Sequence, residues 1–146
     1  MKFSGYRRPD GKVGIRNHVV VMPGVVCADV AARKIASATG AVYLQNPHGC
    51  GQTQSDTART LHILSGLLVN PNVYGALIVG LGCETLDETT YCTAIKARSP
   101  HKRIGYIGFQ ACGGIARTVE EGIGIVRKIK DEADKCRRVD CSLSEL

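Results

Sequence analysis

Tyr74-Gly75-Ala76-Leu77-Ile78-Val79 carries no charge and passes at once into Gly80-Leu81-Gly82-Cys83-Glu84. A short apolar run bounded by turn residues reads as a buried strand, and the glycine-rich segment after it as a loop. The same pair of signals occurs three more times. His18 to Met22 stops at Pro23-Gly24, just before Cys27. Ala41 to Gln45 leads into Asn46-Pro47-His48-Gly49-Cys50-Gly51, and Arg103 to Phe109 into Gln110-Ala111-Cys112-Gly113-Gly114. Each of the four runs therefore ends in a loop that holds a cysteine.

Helical patterns separate the runs. Asp29 to Thr39 sets Val30, Ile35 and its alanines on one side and ends at Gly40. Ser55 or Asp56 is the expected cap of a helix bearing Ala58, Leu61, Leu64 and Leu68, closed by Asn70-Pro71-Asn72. A third helix is expected from about Asp87 to Arg98, and a long last one with Ile115, Val119, Ile123, Val126, Ile129 and Ala133 on one stripe. This βαβαβαβα order predicts an α/β fold, a Rossmann-like three-layer sandwich on a parallel sheet of about four or more strands. Residues 1–17, punctuated by Gly5, Pro9-Asp10-Gly11 and Gly14, read as an N-terminal arm. Residues 18–140 form the α/β domain, and 141–146 the start of a linker to a C-terminal domain outside this chain.

With 146 residues, 44% hydrophobic and 22% charged, the chain has the composition of one globular domain. No apolar stretch is long enough to span a bilayer, and Met1-Lys2-Phe3-Ser4-Gly5 lacks the apolar core of a signal peptide. A cytoplasmic location is expected. The seven cysteines, an odd count, fit free thiols or metal ligands better than a disulfide framework. The net charge of +6 comes partly from Lys2, Arg7, Arg8, Lys12 and Arg16 and partly from Lys128, Lys130, Lys135, Arg137 and Arg138. Without Trp, with two Phe and with no long basic run, the chain lacks stacking platforms for nucleic acid. A small anionic substrate accounts for the N-terminal arginines instead, and no membrane partner is implied.

In a parallel sheet all four loops fall on one edge, where open α/β folds bind ligands. Three thiolates there can hold an iron–sulfur cluster with one iron open, or a single metal with an open position. An open Lewis-acidic iron suits removal of a hydroxyl group. His48, in a tight loop between Pro47 and Gly49, reads as a metal ligand or general base, with a structural hydrogen-bonded role as the alternative. Gly113 and Gly114 could offer backbone N–H groups to a carboxylate, and Arg8 and Arg16 could clamp one. NAD is rejected: Gly80-Leu81-Gly82-Cys83-Glu84 lacks the third glycine of a dinucleotide fingerprint and follows the third strand, not the first.

Taken together, these motifs resemble a known family. Gly5-Tyr6-Arg7-Arg8-Pro9-Asp10-Gly11-Lys12-Val13-Gly14-Ile15-Arg16-Asn17 resembles the opening of the main part of altronate and galactarate dehydratases. Asn70-Pro71-Asn72-Val73 and Leu77 to Glu84 resemble the family's middle block, and Cys50-Gly51-Gln52 and Gln110 before Gly113-Gly114 also fit. The resemblance implies a middle domain of a hydro-lyase that uses Fe2+, an iron–sulfur cluster or another divalent metal to convert a sugar acid to a 2-keto-3-deoxy acid. It implies Cys27, Cys50 and Cys83 as metal-side residues and His48 as base or ligand. Arg8, Arg16, Asn17, Gln110, Gly113 and Gly114 would be substrate-binding residues, and Cys112 incidental. A further C-terminal domain, a small N-terminal domain or subunit, and a homo-oligomer are the implied partners. Sulfolactate sulfo-lyase large subunits are similar and remove sulfite instead of water. A non-catalytic interaction module with structural cysteines is the third reading.

Overall fold

The computed structural model describes all 146 residues. Its strands and helices run β1 (Lys2–Arg7), β2 (Val13–Gly14), β3 (His18–Pro23), α1 (Asp29–Thr39), β4 (Val42–Tyr43), α2 (Gln54–Val69), β5 (Val73–Gly80), α3 (Glu88–Arg98), β6 (Arg103–Gly108), α4 (Phe109–Cys112), α5 (Ile115–Asp134) and β7 (Val139–Ser142). Single 3-10 turns occupy Val26–Ala28 and Leu143–Glu145.

The main sheet has the order β4-β3-β5-β6 and is parallel throughout. Its central strands β3 and β5 are buried on both faces, which is why they read as continuous apolar runs. Along β3, Val19 and Val21 pack with Ile35 of α1 and Val126 and Ile129 of α5. Val20 and Met22 point the other way, against Leu64 and Leu68 of α2 and Tyr91 and Ile95 of α3. Two helices therefore cover each face, the three-layer sandwich expected from the sequence.

α5 departs from the expected stripe. Ile115 is half exposed, and the buried face is built from Thr118, Gly122, Val126, Ile129 and Ala133. Small residues in its first half let α1 come close: a Cβ at Gly122 would lie 2.5 Å from Ile35 Cδ1. The cap of α2 also differs, for Thr53 Oγ1, not Ser55 or Asp56, accepts from the Asp56 backbone N–H.

Within residues 1–17 lie two strands, β1 and β2. β1 is the centre of a small antiparallel sheet, β2-β1-β7, in which Lys2 pairs with Ser142 and Gly5 with Val139. Residues 142–145 close that sheet with a capping box between Ser142 and Glu145, where a linker was expected. The small sheet docks on the amino-terminal edge of the main one. A Cβ at Gly14 would lie 2.7 Å from the Pro71 carbonyl carbon, so only glycine fits that approach.

Candidate functional site

The crossover through α1 carries the chain to one side of β3, and the one through α2 carries it to the other. The topological switch point thus lies between the carboxyl ends of β3 and β5, where this architecture opens a crevice. Cys27 follows β3 and Cys83 follows β5, so the two flank the crevice.

Backbone hydrogen bonds knit the loops together here. Gly24 N–H donates to Val79 O (2.8 Å), and Val26 N–H to His48 O (2.8 Å). Thr85 N–H donates to Gly49 O (3.4 Å), and Gln110 N–H to Leu81 O (3.1 Å). The buried Asn46 amide donates to both Pro23 O (3.2 Å) and Gly24 O (3.1 Å). Gly49 sits at φ +114, and a Cβ there would lie 2.7 Å from Val25 Cα. The second cysteine loop is therefore pressed flat against the first. Cys27, Cys50 and Cys83 are all exposed on these joined loops.

Glu84 anchors the third loop. Its carboxylate is buried and accepts from Leu81 N–H (3.0 Å), Gly82 N–H (2.6 Å) and the Tyr106 hydroxyl of the neighbouring strand. Burial pushes its pKa up, but the Tyr106 hydroxyl and the backbone donors outweigh burial and hold it below the usual carboxylate value. Burial first, then the Glu84 charge, keeps Tyr106 protonated far above the ordinary phenol range. Neither residue was singled out from the sequence. The one available signal was a glutamate closing a Gly-x-Gly-Cys turn, where a carboxylate can collect loop N–H groups.

His48 is exposed and lines an open cleft of about 460 Å3 with Gln52, Asp56, Arg59, Thr60 and Ile63. Its own N–H donates to Asn46 Oδ1 (3.1 Å), which fixes the loop rather than the ring. Gln110 reaches this edge too, since a Cβ at Gly82 (φ +120) would lie 2.7 Å from Gln110 Oε1. Cys112 is half-buried, and its thiol points to Glu121 Oε2 (3.6 Å).

Gly113 and Gly114 lie on the same edge, but their N–H groups are not free. Both donate to Phe109 O, closing the left-handed turn at Gly113 (φ +76) between α4 and α5. These backbone donors are taken up within the chain.

Arg8, Arg16 and Asn17 lie at the opposite edge, before β3 begins. Six strand residues separate that edge from the thiol loops, roughly 20 Å at the usual rise per residue. Arg8 is buried, donating to Pro71 O (2.8 Å) and Arg16 O (3.2 Å). Asn17 donates to Ala133 O (2.7 Å) at the end of α5, and Arg16 is exposed. The structure thus brings Cys27, His48, Cys50, Cys83, Gln110, Gly113 and Gly114 to one edge and sets Arg8, Arg16 and Asn17 at the other.

Residues 5–134 match the family described as D-galactarate dehydratase/Altronate hydrolase, second domain. The chain belongs to this family. Among its relatives, the altronate dehydratase of Bacillus subtilis (strain 168) is 30% identical over 155 residues, covering 99% of this chain and 30% of the relative. The altronate dehydratase of Escherichia coli (strain K12) is 28% identical, covering 97% of this chain and 30% of the relative. The (2R)-sulfolactate sulfo-lyase subunit beta of Chromohalobacter salexigens is 39% identical over 80 residues, 54% of this chain and 21% of that protein. No solved structure matches. This second domain spans about a third of the length of the altronate dehydratases it matches. No helix in it is long and apolar enough to cross a membrane.

No three His, Cys, Asp or Glu side chains of this domain converge on a point that could hold a metal ion. The thiol chemistry suits iron, but the geometry within this chain does not complete a site for it.

Proposed function

We propose that this domain is the second domain of a hydro-lyase that dehydrates a sugar acid of the altronate or galactarate type to a 2-keto-3-deoxy acid. The family match over residues 5–134 carries the reading, and three exposed thiols beside the switch-point crevice support it. In the reaction a base takes the proton from the carbon bearing the carboxylate. The hydroxyl on the next carbon leaves as water, and the enol that remains ketonises.

His48, exposed in its cleft, is the candidate base, with Arg59 beside it as a cation for the acid. Gln110, exposed beside Gly82 on the same edge, is a candidate to orient a hydroxyl. Cys27, Cys50 and Cys83 are this chain's contribution to a metal side. Iron, as Fe2+ or as a cluster, or another divalent metal belongs to the assembled enzyme, with the remaining ligands supplied from outside these residues. Arg8, Arg16 and Asn17 stand too far from the thiol loops to touch the same six-carbon acid within one chain.

A second reading, elimination of sulfite from sulfolactate, is favoured by the 39% identity to the sulfo-lyase subunit. It begins with the same proton abstraction and differs in the leaving group. The test is to assay the longer enzyme containing this domain for keto-acid formation from altronate and galactarate, and for sulfite release from sulfolactate. Keto-acid formation that Cys50→Ser or Cys83→Ser abolishes supports the first reading. Sulfite release supports the second, and neither product makes the domain a non-catalytic module.

A further inference from the structure

The amino-terminal edge of the main sheet holds a cavity of about 260 Å3, lined by Arg7, Arg8, Tyr74, His101, Lys102 and Arg103 among others. Two of these cations have carboxylate partners, and one of those, Glu132, also accepts from the Tyr74 hydroxyl (3.4 Å). Arg7 pairs with Glu145 (2.6 Å), and Arg103 binds Glu132 through Nε and Nη2, both at 2.7 Å. Asp10 pairs with Lys12 (3.4 Å) and lies 3.9 Å from His101. No carboxylate pairs with Arg8 or Lys102, although each is only 7% exposed.

Both buried cations are held by carbonyl oxygens alone. Lys102 Nζ donates to Asn70 O (3.0 Å) and Val73 O, leaving its third N–H unused. Arg8 donates through Nε and Nη2, and its Nη1 hydrogens meet no acceptor in the chain. The rings of Tyr6 and Tyr74, 5.7 and 5.9 Å from the guanidinium carbon, fix its plane. Two buried like charges with no carboxylate in direct contact, and only Asp10 near both, are costly, and the cost falls when an anion enters. Burial first, then the Arg8 charge, brings the Lys102 pKa down to about 8, while Asp10 opposes the shift and Lys12 adds to it. Burial likewise lowers Arg8, with Cys136, Tyr74, Tyr6 and Asp10 acting against it.

We propose that this cavity is a binding site for a small oxyanion, a phosphate or a carboxylate group, held between the Arg8 guanidinium and the Lys102 ammonium. The site is built from the small sheet, which supplies Arg7 and the approach to Arg8, and from the turn before β6, which supplies His101 and Lys102. Arg8, which the family resemblance implied as a substrate-binding residue, lies at the opposite edge from the thiol loops, so the proposal stands apart from the reaction assigned to that edge.

The test follows the Lys102 side-chain carbon by NMR titration of the 146-residue chain, with inorganic phosphate or succinate added against sodium chloride at matched ionic strength. Either oxyanion should bind saturably and raise the Lys102 midpoint above its value of about 8, and affinity should fall as pH rises through that midpoint. A response to phosphate alone identifies a phosphate-bearing ligand, and a response to succinate alone a carboxylate. Lys102→Met, followed instead through the backbone amide shifts of the cavity residues, should weaken binding by about tenfold or more, since a charge-assisted hydrogen bond is lost. His101→Ala, at the rim, should weaken it less. A midpoint unmoved by both anions, or moved equally by chloride, overturns the proposal. So does concentration-dependent dimerisation that fills the cavity with a side chain of a second copy and leaves no response to phosphate.

Discussion

The Tyr106 hydroxyl of β6 donates to the Glu84 carboxylate at the end of β5, where two loop N–H groups already hold it. The pair ties the cysteine loop after β5 to its neighbouring strand. Glu84 is ionised in the fold at a pH where it would be protonated in the unfolded chain. Its contribution is therefore fully present above the unfolded value, about 4.3, and is lost as pH falls through the depressed folded value.

Glu84→Gln should accordingly destabilise the domain by about 1–3 kcal/mol at neutral pH and flatten the acid limb of its stability curve. Urea unfolding at a series of pH values reads both effects. An acid limb that superimposes on that of the parent chain would remove Glu84 from the account. Tyr106→Phe should move the acid limb to higher pH, because the carboxylate loses one donor.

Gly49→Ala should cost about 2 kcal/mol or more, since a Cβ there meets Val25 Cα in a conformation that side chains avoid. Gly51→Ala, at φ +69 but with nothing within 4 Å, should cost distinctly less. Hydrogen exchange reports the difference locally: Val26 and Thr85 N–H should lose protection in the first variant and keep it in the second. Equal destabilisation by the two would mean that the loops are not pressed together.

Cys27, Cys50 and Cys83 should react with a thiol reagent in the folded chain, whereas Cys141, 2% exposed, should react only on unfolding. Serine at any of the three exposed positions should leave stability within about 0.5 kcal/mol. If the proposed function holds, the same replacements in an enzyme carrying this domain should lower keto-acid formation by about tenfold or more. Loss of activity without loss of stability separates a chemical role from a structural one.

Gly14→Ala should lift the small sheet from Pro71, where no side chain fits. Protection of the β1 and β7 amides should fall while that of β3 and β5 is retained. A uniform loss across both sheets would show that they unfold as one unit.

The main sheet was legible because its central strands β3 and β5 are buried on both faces and so appear as unbroken apolar runs. The thiol edge followed from topology alone, since parallel strands place every following loop on one side. The small sheet was not legible, because β1 finds its partner in residues 139–142 and nothing local to residues 2–7 records that pairing. Arg8 illustrates the same limit. In a glycine-punctuated basic segment it reads as a solvent-facing clamp, yet two tyrosine rings and two carbonyls bury it. Gly113 and Gly114 signalled a special backbone, but the sequence did not show that the Phe109 carbonyl already takes their N–H groups.

Because Lys2 and Ser142 are register partners in an antiparallel ladder, the two ends of the chain leave the domain side by side. Tension between them would not shear that ladder but unzip it, breaking one rung at a time from the Lys2 end toward Gly5. The Arg7–Glu145 ion pair beside the ladder would part early, and with it one wall of the cavity around Arg8 and Lys102. The parallel sheet and its thiol loops, at the far edge, would bear load only afterwards. Mechanically, the domain is a soft clasp fastened to a stiff plate.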